Sequence, residues 1–108
     1  MKTRISTVEE FEKLVNEEHD FLFIKHSLTC PVSLAAFDEY HLFVEANSTI
    51  PTYYLYVQED RPLSTYIADT YGVKHESPQA LHFKNGEVIW NASHWKITNR
   101  SLTEALIG

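Results

Sequence analysis

One hundred and eight residues make one modest domain, and 44% apolar with 22% charged residues is ordinary globular composition. Three Gly and four Pro exclude a collagen-like or linker-dominated chain, so residues 1–108 read as a single domain. Nine Lys and Arg against fifteen Asp and Glu give a formal charge of −6, which argues against nucleic acid as a partner.

In chain order, Ser6 with Glu9, or Thr7 with Glu10, signals a capping box. Val8, Phe11, Leu14 and Val15 follow at helical spacing to about Glu18, with a solvated acidic face. Phe21-Leu22-Phe23-Ile24 is apolar at every position, as a strand buried on both faces would be. After the connection Ser27-Leu28-Thr29-Cys30, Pro31 suits the first position of a helix that runs through Val44. Thr52 to Val57 reads as a second strand, and Pro62 opens a helix that Gly72 stops. Ala80–Phe83 and Val88–Trp90 flank Asn85-Gly86, a strong hairpin signal because both turn residues must tolerate positive φ. A last helix spans about 99–107, with Ser101 and Glu104 as a second capping box. Alternating strands and helices followed by a hairpin predict an α/β fold with a mixed sheet, the hairpin forming an antiparallel edge.

The amino-terminal segment turns acidic by Glu9, where a secretory signal would need an apolar stretch. The longest apolar run, Tyr53–Val57, is far too short to span a membrane. With one free thiol, the expected setting is the reducing cytoplasm, with no membrane partner.

That thiol, Cys30, is the only cysteine, which excludes an internal disulfide and a zinc site built mainly from thiolates. It follows a buried strand and precedes a helix beginning at Pro31. Functional groups gather at the carboxyl ends of strands in open α/β sheets. At a helix start, unpaired N–H groups and the macrodipole favour an anion, so a thiolate there has a lowered pKa. The competing reading is a small apolar residue under the loop; the flanking Thr29 and Pro31 favour the nucleophile.

The segment Tyr71-Gly72-Val73-Lys74-His75-Glu76-Ser77-Pro78-Gln79-Ala80-Leu81-His82-Phe83-Lys84-Asn85-Gly86-Glu87-Val88 resembles the carboxyl-terminal half of a thioredoxin. Thr29-Cys30-Pro31-Val32-Ser33, with Phe37-Asp38-Glu39 and Trp90-Asn91-Ala92-Ser93-His94-Trp95, more narrowly resembles the monothiol bacilliredoxins. Together these resemblances cover essentially the whole chain. They imply a thioredoxin-like fold with Cys30 as the catalytic nucleophile. Thr29, Pro31, Ser33, Ser77 and Pro78 would bind substrate and thiol, with the Ser77–Pro78 bond cis. Two departures from thioredoxin stand out. Ser33 replaces the second cysteine, and Ile24 takes the place of the buried acid beneath the active site. The implied activity is thiol–disulfide exchange completed by a small thiol: removal of bacillithiol from S-bacillithiolated proteins, in redox homeostasis and the oxidative stress response. Bacillithiol would be a co-substrate, with no bound cofactor; S-thiolated proteins would be partners, and a monomer is the expected state.

Six histidines raise the question of metal, but none forms a His-x-x-x-His pair and no metal site is expected. His26 and His75 are candidates for tuning the Cys30 pKa. Two other functions compete. The Cys-x-x-Ser spacing is shared with monothiol glutaredoxins that carry iron–sulfur clusters, although Pro31 and Val32 differ from their Gly-Phe pair. A non-catalytic adaptor would instead have a Cys30 thiol of ordinary pKa.

Overall fold

The computed structural model describes residues 2–108. Strands β1 (Lys2–Arg4), β2 (Asp20–His26), β3 (Thr52–Tyr56), β4 (Gln79–Lys84) and β5 (Glu87–Ser93) alternate with helices α1 (Val8–Glu17), α2 (Pro31–Ala46), α3 (Arg61–Tyr71) and α4 (Asn99–Leu106). The sheet order is β1-β3-β2-β4-β5. Strand β3 runs parallel to both β1 and β2, whereas β4 runs antiparallel to β2 and β5. The α/β expectation with a mixed sheet holds. The hairpin, however, is not wholly an edge: β4 lies inside the sheet and only β5 borders it.

Strand β2 is buried from Phe21 to His26, because both faces are covered. Phe21 and Phe23 project toward α1 and α3, where Phe11, Leu14, Leu63 and Ile67 complete a core. Leu22 and Ile24 project toward α2 and α4, against Tyr40, Phe43 and Leu102. Phe11 is the hub of the first core, meeting Phe23 and Phe83 edge to face at 5.2 and 5.4 Å, while Phe21 and Phe83 stack at 4.9 Å. These are the favourable arrangements for aromatic quadrupoles. Phe37 and Tyr54 are only partly buried, at the margin of the second core.

Local signals mostly decide the element ends. Of the two capping boxes open at the start of α1, Thr7 with Glu10 forms, with Glu10 N–H on Thr7 Oγ1 at 3.1 Å. Asn85 and Gly86 take φ values of 52° and 79°, as the hairpin requires, and Gly72 closes α3 at φ 66°. Two sequence expectations are corrected. Strand β1 was not anticipated, since Lys2-Thr3-Arg4 has no apolar alternation; pairing with β3 creates it. The cap of α4 is Thr98 with Ser101, not Ser101 with Glu104; Glu104 instead pairs with Arg100 one turn earlier at 3.0 Å.

Arg4 reaches across β3 to the start of α3. Its guanidinium donates to both carboxylate oxygens of buried Asp60, at 3.0 and 3.2 Å, and lies 4.5 Å above the Tyr56 ring. Asp60 also accepts from Tyr56 N–H at 2.9 Å, so it is drawn to β3 and leaves α3 without a side-chain cap.

Candidate active site

The carboxyl ends of β2 and β3 and the amino end of β4 share one rim of the sheet. Register pairs Lys25 with Gln79 and His26 with Tyr56, which sets the Cys30 loop beside the Ser77–Pro78 segment. The Ser77–Pro78 bond is cis, as the resemblance implied.

Cys30 is partly exposed and is the N-cap residue of α2, with Pro31 as the first helical residue. Pro31 costs nothing there because its absent N–H would have had no partner within the helix. The thiol caps no backbone group as a formal side-chain cap. It is instead the thiolate that this position favours. The Ser33 N–H and then the Val32 N–H hold the Cys30 pKa below that of a free thiol; burial opposes them, and the Ser33 hydroxyl adds the weakest lowering. A thiolate at a helix start meets the N–H groups that have no carbonyl to pair with.

Ser33 is completely buried, and its oxygen accepts the Ser27 N–H at 3.3 Å. That leaves its hydroxyl proton free for the sulfur. Gln58, just after β3, fastens the other side of the loop: its carbonyl accepts Leu28 N–H at 3.0 Å, and its amide donates to Ser27 Oγ at 2.7 Å and Thr29 Oγ1 at 3.2 Å. Sequence reasoning missed Gln58, and no local motif marks it.

Thr29, Pro31 and Ser33 therefore gather around Cys30 along the chain, and Ser77 and Pro78 reach the same rim from β4. The Ser77 hydroxyl is buried without a hydrogen-bond partner among the described residues. The two histidines behave differently from each other. His26 is buried under α2, its ring stacked on Phe37 at 4.1 Å, and burial is the main cause of its lowered pKa. His75 lies on the opposite face of the sheet, where its Nδ1 is 3.3 Å from the Lys25 ammonium and 3.2 Å from Ser64 Oγ. Neither imidazole is among the groups that act on the Cys30 thiol.

Lys25 was also missed, although the signal was present: two residues after Phe23, it must share the core-facing side of β2. It is fully buried, and its ammonium donates to the Ser64 carbonyl at 3.0 Å. Desolvation lowers its pKa to about 8. Ile24, on the other face, packs in the α2–α4 core where the resemblance set it against thioredoxin's acid.

Exposed apolar side chains lie beside Cys30 in the chain and beside the cis-proline. Leu28 and Leu34 are largely exposed on either side of Cys30 along the chain. A short 3₁₀ turn, His94–Lys96, is tied to the cis-proline by His94 N–H on the Pro78 carbonyl at 3.1 Å, and it carries Trp95, 71% exposed. No group of three or more His, Cys, Asp or Glu side chains with metal-binding geometry occurs among the described residues, and no helix there is long and apolar enough to cross a membrane.

The model of the family described as monothiol bacilliredoxin BrxC matches residues 3–102. The chain belongs to the monothiol bacilliredoxin family. It is similar to a solved structure described as a putative oxidoreductase with a thioredoxin fold, at 42% identity and a TM-score of 0.91, covering 96% of this chain and 92% of that one. It also superposes on the oxidised form of mitochondrial thioredoxin 3 from Saccharomyces cerevisiae (15% identity, TM-score 0.75, covering 96% and 92%). Fasciola hepatica thioredoxin gives 16% identity and a TM-score of 0.77, covering 96% and 95%. At those identities the thioredoxins attest the fold alone. Within the bacilliredoxin family, the arrangement at Cys30 belongs to a redox protein of thioredoxin fold.

Proposed function

We propose that this bacilliredoxin removes bacillithiol from S-bacillithiolated proteins by thiol–disulfide exchange at Cys30, in a reducing cytoplasm. The observation that carries this reading is a single thiol of lowered pKa at the start of α2, with buried Ser33 where a resolving thiol would stand.

In the first step the Cys30 thiolate attacks the bacillithiol sulfur of the mixed disulfide. One S–S bond breaks, one forms, and the target protein leaves as its thiolate. In the second, a free bacillithiol thiolate attacks the Cys30-bound bacillithiol. It releases Cys30 and forms bacillithiol disulfide, so electrons balance without a bound cofactor. Ser33 donates to the sulfur as thiolate but forms no second disulfide, which is why the small thiol must complete the cycle. The exposed side chains of Leu28 and Leu34, next to Cys30 in the chain, and of Trp95, on the turn bonded to Pro78, offer a protein substrate apolar contacts on this rim.

Intact mass spectrometry tests the reading. A bacillithiolated target mixed with the protein should pass one bacillithiol to Cys30, and Cys30→Ala should neither gain the adduct nor release the target. Retained activity in Cys30→Ala would overturn it.

A further inference from the structure

Beside the rim, on the α3 face of the sheet, Val57, Arg61, Ser64, Thr65 and His75 line a cleft of about 110 Å³. That is several times the roughly 30 Å³ share of one liquid water, enough for a small polar group but not for a whole cofactor. The cleft adjoins the Cys30 site at two points. Val57 N–H bonds the carbonyl of His26, four residues before the cysteine, at 2.8 Å. His75 stands two residues before Ser77.

The walls are cationic and rich in donors. The Arg61 guanidinium is exposed and pairs with no carboxylate among the described residues. Behind the wall lies Lys25, fully buried, with a carbonyl and an imidazole as its partners and no acid. An ammonium can only donate, so His75 Nδ1 must be the acceptor, and the ring proton sits on Nε2. Burial, then the charges of Lys25 and Arg61, keep His75 below its ordinary pKa, consistent with a neutral ring. The acid nearest in sequence, Glu76, is held by Ser93 and interacts with His94, Lys74 and His75, and on His75 its upward pull is the smallest of the influences. The acid at the start of α3, Asp60, is committed to Arg4. A buried cation is costly without a counter-charge, and no carboxylate is among the residues that line this cleft or that bond Lys25 behind it.

We propose that this cleft receives a carboxylate carried by the thiol that exchanges at Cys30. The inference rests on the exchange reading above and specifies the chemistry of the small thiol's second anchor. The carboxylate accepts hydrogen bonds from Arg61 and from His75 Nε2, Lys25 supplies charge from behind, and the thiol end reaches the rim. A preference for an anion would run against the protein's net charge of −6, so it must come from a local arrangement.

The probes are symmetric disulfides of ω-mercapto acids with three to six carbons, and the corresponding amides. Cys30 attack on each exchanges one S–S bond for another and releases one thiol while consuming its own, so the rate is read as the growth of the mixed-disulfide adduct on Cys30 by intact mass spectrometry. At low ionic strength, the acid of best-matched length should react about tenfold faster than its amide, the scale of one charge-assisted hydrogen bond. Arg61→Gln should bring that ratio to within about twofold of one, with the amide rate of the same variant as internal reference. Lys13→Gln, which removes a remote cation on α1, should leave the ratio near ten. Equal acid and amide rates in the unmodified protein, or an undiminished ratio in Arg61→Gln, would overturn the cleft assignment and leave Cys30 exchange standing. Absence of reaction with every disulfide would overturn the exchange reading and this inference with it.

Discussion

Ile24 and Lys25 are consecutive in β2 and equally buried, at 1% and 0% exposure, yet they meet opposite environments. Ile24 enters the α2–α4 core among Tyr40, Phe43 and Ala80. Lys25 enters the side that holds Phe11, Phe23 and Phe83, and finds polar partners only at its tip, on Ser64 and His75. One face of the strand is spent on packing beneath the helix that carries Cys30; the other ends in a charge beside the rim. Covering a strand on both sides does not make its two faces equivalent. The less stable choice sits where it borders a functional edge, a common cost of function.

Variants on the two faces measure the difference. The largest effect is expected for Phe11→Ala, which removes the hub of the aromatic core and should cost roughly 3–5 kcal/mol in denaturant unfolding. Lys25→Met should act in the other direction, stabilising by about 1–3 kcal/mol, because a buried ion gives way to an apolar side chain of similar volume.

The same variant carries a signature in pH. The folded protein releases the Lys25 proton near pH 8, whereas the unfolded chain holds it to 10.5. Between those values the unfolded state binds more protons, so stability rises with pH, by up to about 3 kcal/mol in all. The penalty is present in full below pH 8. A wild-type minus Lys25→Met difference that stays flat from pH 8 to 10.5 would contradict this assignment.

On the other face, Tyr40→Phe deletes the buried bond from Tyr40 to Thr52, 2.8 Å long, and should cost about 1 kcal/mol. The smallest change is expected for Ser33→Ala. The Ser33 and Val32 N–H groups remain and act more strongly than the hydroxyl, so the thiol pKa should rise slightly. Alkylation at pH 7 should slow by less than about tenfold, and the midpoint of the alkylation–pH profile should stay below that of the urea-unfolded chain.

The parts of this fold legible in the sequence are those determined within a few residues. Pro31 at a helix start, Gly72 at a helix end and Asn85-Gly86 in a turn each impose a backbone conformation locally, and each is found where expected. Residues fixed by distant partners were not legible. Lys2-Thr3-Arg4 becomes a strand only through its ladder to β3, and Gln58 matters only because the Ser27–Thr29 loop folds back onto it. Lys25 lies between these cases: period-two alternation after Phe21 and Phe23 put it on the core face, but Ser64 and His75 become visible only in three dimensions. Cys30 could be read as a nucleophile from its neighbours. The strongest influences on its thiol, the Ser33 and Val32 N–H groups, follow from its place before the helix start, whereas the order in which they act is visible only in three dimensions.

Strand β1 also bears on association between molecules. Without it, β3 would be a sheet edge presenting an unpaired row of backbone groups flanked by Tyr53, Tyr54 and Tyr56, well suited to recruiting a strand from another chain. Three residues close that edge. The new edge is very short, carries Lys2 and Arg4, and is held at Arg4 by the ion pair with Asp60. Short length and positive charge are the features by which natural sheets discourage edge-to-edge aggregation. Arg4→Ser would loosen this guard, and its first visible effect would be self-association at high protein concentration, ahead of any loss at Cys30.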